Sequence, residues 1–218
     1  MLATRLGAIF AAHPILHRAQ DGFLPGGDPK ASPALFLDLI EDAREYGRAL
    51  YAILYDFRGA YDTVRHDDIR QACRRLLIPE SFIEFIVDSM TDLMSCVRTA
   101  YGCGDPFAVL RSIKQGDPLA PLLFIIFLDA LHCVLHANPL YPGTPNDGYE
   151  MRGVAAVGHR VASMGYADDT TTISETWAGL CRLHVVMCGF ADWHQLVLHA
   201  IKTLLVGFAA GWCAFQQQ

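Results

Sequence analysis

Three aspartates in this chain each follow an apolar stretch. Asp56 closes "YAILYDF", and Asp168 and Asp169 stand side by side in "GYADDTTTIS". If the two stretches are neighbouring strands, one small patch carries three negative charges. Such a patch repels itself unless a cation fills it. Two divalent ions about 3.5–4 Å apart are the usual solution, and they serve in-line phosphoryl or nucleotidyl transfer. Oxygen-only ligands favour Mg²⁺ or Mn²⁺ over zinc. The plainer alternative is the polar tip of a hairpin, where Asp is common. Two-residue turns want a glycine, however, so Asp-Asp is a poor turn for its own sake. Asp56 alone carries less weight, because a strand-end Asp often caps whatever follows. Together the two features favour a metal site.

Two other stretches bear on a nucleotide. Tyr61 follows Asp56 by five positions in "YDFRGAYDTV". An aromatic just past a metal-binding strand end can lie beneath a bound sugar and exclude a 2′-hydroxyl. The alternative is a core aromatic at a strand-to-helix corner. In "SIKQGDPLAP", Gln115-Gly116 precedes a helix that starts with proline. Glycine permits close backbone approach, and the amide can meet a base or sugar edge; a plain loop-to-helix junction explains the pair equally well. Asp62, Asp67 and Asp68 read as turn and helix-cap residues. His132 and His136 have i,i+4 spacing, but with no third ligand nearby they read as ordinary helix residues.

These residues need a scaffold that closes 112 positions of chain (168 minus 56). Residues 1–20 read as a helix and 21–33 as a Gly/Pro-rich loop. "ALFLDLIEDAREYG" has helical apolar spacing and stops at Gly47, a C-cap signal. "RALYAILYDF" reads as a buried strand. "HDDIRQACRRLL" and "PESFIEFIVDSMTDLM" read as helices, the second with Pro79 in its first turn. "SCVRTAYGCGDPFAVLRSI" suggests a hairpin around Gly102 and Gly104. A buried helix follows "KQGDP" to about His136, then a loop, then strands on either side of the aspartate pair. From Glu175 to Leu198, apolar Leu180, Leu183, Met187, Phe190 and Val197 mark one helix face. "TLLVGF" reads as a last strand. Helices mixed with hairpin-forming strands predict an α+β fold, an antiparallel sheet backed by helices.

Composition sets the outer limits. The 218 residues are 52% hydrophobic and 18% charged, so the chain is globular rather than disordered. A net charge of -6 argues mildly against nucleic acid. Yet 14 of the 17 cations are arginine, the residue suited to forked phosphate contacts; the lysines are Lys30, Lys114 and Lys202. Seven cysteines without a CxxC pair argue against a disulfide framework or zinc ribbon, and for a reducing compartment, nucleus or cytoplasm. The start, "MLATRLGAIFAAH", suits an amphipathic helix better than a signal peptide, because Arg5 sits beside a short apolar run. "PLAPLLFIIFLDALHCVL" is too short between Pro121 and Asp129 to span a membrane, which takes about 20 apolar residues.

Taken in order, "YDFRGAYDTV", "KQGDPLAPLLF" and "GYADDTTTIS" resemble the reverse-transcriptase domain, more narrowly that of retrotransposons without long terminal repeats and of group II introns. "AQDGFLPG" resembles that family's Q-x-G-F segment, and "FADWHQLVLHAIKT" its helix and lysine segment. The resemblance spans residues 5–208. It implies a polymerase palm (residues 49–218) with partial fingers (residues 1–48) and no thumb after Phe208. It implies an RNA-directed DNA polymerase using two Mg²⁺ or Mn²⁺ ions, an RNA template, a DNA primer and deoxynucleoside triphosphates. Asp56 and Asp168 would be the principal metal ligands, with Asp169 assisting and the Phe57 carbonyl completing a site. Tyr61 would be the steric gate, Gln115 and Gly116 would position template and nucleotide, and Lys202 would be the general acid for pyrophosphate.

The departures point to a second reading. Leu24 and Gly27 stand where the family usually has arginines, and His199 where an asparagine is common. The basic fingers segment with its triphosphate-gripping arginine is expected upstream of this stretch. A folded remnant that binds a partner without catalysis is the alternative. An RNA-templated RNA polymerase is a third, disfavoured by Tyr61 and the Gln-Gly-Asp-Pro stretch.

Overall fold

In a computed structural model, residues 2–24, 26–114, 116–137, 147–153, 159–209 and 212–217 are described. Helix α1 (Leu2–Ala12) is followed by turns and then α2 (Ala31–Glu45) and strand β1 (Leu50–Tyr55). Helices α3 (Ala60–Thr63), α4 (His66–Arg75) and α5 (Glu80–Asp88) lead into short strands β2 (Met94–Ser95), β3 (Arg98–Thr99), β4 (Gly102–Cys103) and β5 (Phe107–Ala108). Helix α6 (Ala120–Leu135) precedes β6 (Tyr149–Glu150), β7 (Arg160–Val161), β8 (Ser163–Tyr166) and β9 (Asp169–Ser174). Helix α7 (Trp177–His194), β10 (Leu204–Ala209) and β11 (Trp212–Gln217) complete the order. The fold is α+β, as expected.

The main sheet has the order β11-β10-β1-β9-β8, with every pair antiparallel. Alternation along β1 splits its neighbours. Leu50 and Ala52 pack with α2 residues Leu39 and Ala43, while Tyr55 turns towards α7 and stacks on His184. The larger core lies on the α7 side, around α6, whose residues 122–128 are all buried. Its all-round apolarity suits a helix surrounded by others.

Local signals explain many boundaries. Gly47 has φ +63° and its N–H bonds the Arg44 carbonyl, closing α2 as expected. The 1–20 helix stops at Ala12 instead, because Pro14 cannot continue it. "TLLVGF" is not the last strand; β11 follows it. Val197 lies beyond α7 and is exposed, so it does not extend that helix's buried face. The hairpin around Gly102 forms as two short ladders, β3 with β4 and β2 with β5. Asp68 is no exposed cap: it is buried, accepting from Arg65 and paired with His194 Nδ1 at 3.0 Å. His132 bonds the Ser163 hydroxyl through Nδ1, and His136 Nε2 bonds the Ser163 backbone. Cys73, Cys96, Cys103, Cys133, Cys181 and Cys188 are free. No helix among the described residues is long and apolar enough to cross a membrane.

Candidate active site

Strand pairing brings the aspartates together. β1 pairs with β9 so that Tyr55 faces Thr170; one step further along the same register, Asp56 comes opposite Asp169. In the β8–β9 hairpin, Tyr166 pairs with Asp169. The two-residue turn is therefore Ala167-Asp168, not Asp168-Asp169, and Asp169 is the first residue of β9. Ala167 adopts φ +58°, at the position where such turns favour glycine. A non-glycine residue there costs of order 1–3 kcal/mol, and strain of this kind clusters at functional sites.

The turn is held from outside the hairpin. Gln20, 2% exposed, donates from Nε2 to the Ala167 carbonyl (3.0 Å) and accepts at Oε1 from the Ala167 N–H (2.9 Å) and the Gly22 N–H (3.0 Å). The backbone around Gln20 forms a parallel bridge with Gly165: Gly165 N–H donates to the Ala19 carbonyl and Asp21 N–H to the Gly165 carbonyl. Contact is too close for a side chain on either partner. A Cβ on Gly22 would lie 2.3 Å from the Ala167 nitrogen, and one on Gly165 2.8 Å from His132 Nε2. Sequence reasoning missed Gln20 as a site residue; its place in the Q-x-G-F segment was the available signal.

The electrostatics are those of crowded carboxylates. Burial first, then the charges of Asp168 and Asp56, hold the Asp169 carboxyl above its usual range, while Lys202 opposes them. Lys202 Nζ lies 3.4 Å from Asp56 Oδ2 and is largely exposed. It is placed by backbone contacts. His199 N–H donates to the Asp56 carbonyl at 2.8 Å, and Lys202 N–H donates to the His199 carbonyl at 3.0 Å. Arg58 N–H donates to Val197 on the same side, so the intervening Phe57 peptide groups face the opposite way by strand alternation, towards β9. The Phe57 ring is buried in the core.

Tyr61 packs as the core aromatic at a strand-to-helix corner, one of its two readings from sequence. Its ring stacks on Phe124 with centroids 4.6 Å apart. Burial and then the Asp168 charge push its pKa up to about 12. Gly116 belongs to a separate element, the exposed loop ahead of α6, with φ +90° that suits glycine. Gln115 lies outside the described residues. Asp56, Asp168, Asp169, Lys202 and Tyr61 are thus contributed by four places in the chain: the end of β1, α3, the β8–β9 hairpin and the segment before β10.

No group of three His, Cys, Asp or Glu side chains among the described residues forms a ready metal cage. Mg²⁺ does not require one, because it is commonly held by one or two carboxylates plus substrate phosphates and water. Asp56, Asp168 and the Phe57 carbonyl are oxygen donors of that kind. The repulsion registered at Asp169 is what a divalent charge would relieve. The donor set fits a hard cation.

A family model described as "Reverse transcriptase (RNA-dependent DNA polymerase)" matches residues 1–208. The chain is 28% identical over 211 residues to the Pol polyprotein of the type-1 retrotransposable element R2 of Popillia japonica, covering 96% of the chain and 28% of that protein. It is 29% identical over 209 residues to the Pol polyprotein of the type-2 retrotransposable element R2DM of Drosophila melanogaster, covering 95% of the chain and 18% of that protein. The chain therefore spans less than a third of the length of these relatives. Among solved structures, telomerase from Candida tropicalis in complex with a telomeric RNA fragment aligns with a TM-score of 0.65 at 14% identity, over 96% of this chain and 33% of that one. The apo telomerase truncated from its C-terminal domain aligns with a TM-score of 0.63 over the whole chain and 44% of that chain.

Proposed function

The chain belongs to the reverse transcriptase (RNA-dependent DNA polymerase) family, and from that premise we propose that it is the palm-centred part of a retroelement polymerase that copies RNA into DNA. The reaction is template-directed attack of a primer 3′-hydroxyl on the α-phosphate of a deoxynucleoside triphosphate. Base pairing supplies the sequence. The R2 relatives support a retroelement role, and the telomerase bound to RNA supports an RNA template.

Asp56 and Asp168 would hold two Mg²⁺ or Mn²⁺ ions, with Asp169 assisting and the Phe57 carbonyl as a further oxygen. When bound, such ions polarise the phosphate and stabilise charge on the attacking and leaving oxygens. Tyr61, braced by Phe124, would lie where a 2′-hydroxyl would clash. Gln115 and Gly116 would border template and nucleotide. Lys202 would donate a proton to pyrophosphate, with Asp56 holding it in place. The residues before 49 would form part of the fingers.

The observation that carries this reading is the convergence on one sheet end of Asp56, the Ala167–Asp169 turn and Lys202 at 3.4 Å from Asp56. Primer extension on an RNA template with Mg²⁺ tests it. Extension that Asp168→Asn abolishes is expected. No extension by this chain, nor by one lengthened with the flanking segments of its relatives, would sink it. Metal binding without extension would favour the folded remnant.

A further inference from the structure

The Asp168 turn is a strained hairpin whose backbone bonds are completed by one side chain from a distant segment. We infer that Gln20 is a positioning residue for the metal-binding carboxylate: its amide fixes the Ala167 peptide groups and so sets where Asp168 points. This deepens the polymerase reading and rests on it.

The geometry argues this in three steps. First, Gln20 makes a two-sided contact with a single residue, donating to the Ala167 carbonyl and accepting from the Ala167 N–H. An amide is the group that does both at once; a carboxylate can only accept, and an aliphatic chain does neither. Second, Ala167 stands at φ +58°, a conformation that persists only where its surroundings over-determine it. Gln20 supplies that constraint at the residue immediately before Asp168. Third, Gln20 is itself fixed. Its Oε1 also accepts from Gly22, and its backbone segment is bridged to Gly165 at the start of the turn. Glycine at 22 lets the two segments touch, since a Cβ there would lie 2.3 Å from the Ala167 nitrogen, and one on Gly165 would crowd Gln20 Nε2 at 3.1 Å as well as His132. The Gln20 side chain therefore couples the chain entering the fold to the turn, over 147 positions.

A purely structural role would show itself in stability alone. A positioning role must also change how the carboxylate meets a cation, because losing a group that orients a metal ligand typically costs about 10–100-fold in metal affinity or activity. The probe is Mn²⁺, followed by electron paramagnetic resonance on the whole chain, with thermal melting in parallel. Gln20→Met keeps the length and removes every hydrogen bond. It is expected to weaken Mn²⁺ affinity at least tenfold and broaden or shift the bound-ion spectrum. Gln20→Glu, able to accept from Ala167 N–H but not to donate to its carbonyl, is expected to fall between wild type and Gln20→Met. Unchanged Mn²⁺ affinity in a folded Gln20→Met protein would overturn the inference, whatever its melting temperature.

Two controls separate its failure from that of the polymerase reading. Asp168→Asn is expected to remove the high-affinity Mn²⁺ signal. If it does while Gln20→Met does not, the metal site stands and the positioning role falls. If Asp168→Asn leaves the signal intact, the metal reading itself has failed. Should the Gln20 variants not fold, amide hydrogen exchange on the wild-type protein decides. The Ala167 N–H is expected to be protected at least a hundredfold over a free turn amide, and exchange at the free rate would overturn the inference.

Discussion

A divalent cation should raise the melting temperature of this protein, and Asp168→Asn should reverse the order of stabilities. Without metal, three carboxylates share one sheet end with Lys202 as their counter-charge. A ligand that binds only the folded state adds RT ln(1 + [L]/Kd), about 2.7 kcal/mol at a hundred times Kd. For a chain of this size each kcal/mol moves the midpoint by about 2–4 °C, so Mn²⁺ should add roughly 5–11 °C. Asp168→Asn removes one like charge from a partly solvated patch. That should stabilise the metal-free protein slightly, by less than about 1 kcal/mol. The variant should thus melt above wild type in chelator and below it in Mn²⁺. Scanning calorimetry in both buffers reads the crossing. The pH dependence supplies a second sign. Asp169 holds its proton to higher pH in the folded state than the ordinary 3.8, so the folded state binds more protons across that interval. Metal-free stability from this group therefore falls as pH rises through 3.8 and upward, and Asp169→Asn should flatten the fall. With Mn²⁺ present the trend should reverse, because ligands must lose protons to bind. An equal Mn²⁺ rise in wild type and in Asp168→Asn would refute the reasoning.

Other outcomes follow from single contacts. Lys202→Met should lower kcat by about 10²–10⁴ with little change in KM, and the basic limb of the pH–rate profile should disappear; an unaltered profile would remove Lys202 from proton transfer. Tyr61→Ala should let ribonucleotides be incorporated, read by competing the two triphosphates, whereas Tyr61→Phe should keep the wild-type preference. Asp129 is 1% exposed and bonded to His17 N–H and Arg75, so Asp129→Asn should cost roughly 2 kcal/mol, less than a fully buried pair because Arg75 is partly solvated. The melt should drop by about 4–8 °C. Burial lowers His132 to about 3 and His136 to about 4, below their ordinary 6.5. The folded state then binds fewer protons than the unfolded chain, so stability present above pH 6.5 should be lost as pH falls towards 4 and then 3. Urea midpoints across that range should rise with pH, His17 contributing in the same direction, and the slope should be smaller in His132→Asn.

What the sequence made legible is what local chemistry decides. Gly47 ends α2 because only a residue comfortable at positive φ closes that helix, and glycine announces itself. Asp56 and Asp168 were legible because carboxylates at the ends of apolar strands need a reason to be there. Three of the misreadings share one cause, a partner far away in the chain. Asp68 looks like a helix cap until His194 reaches it from 126 positions on (194 minus 68). "TLLVGF" looks like the last strand until β10, which it forms, supplies a ladder for β11. The Asp-Asp pair looks like the turn itself, but the turn falls one residue earlier, on Ala167. Nothing local asks an alanine to adopt φ +58°. The strain is tolerated because Gln20, read only as part of a segment resemblance, bonds both peptide groups of that residue. The groups that would meet a cation thus declare themselves by type, while the groups that aim them are ordinary amides and glycines whose role exists only once the chain has folded. This is why a site of three carboxylates could be proposed from two short motifs, and why its support could not.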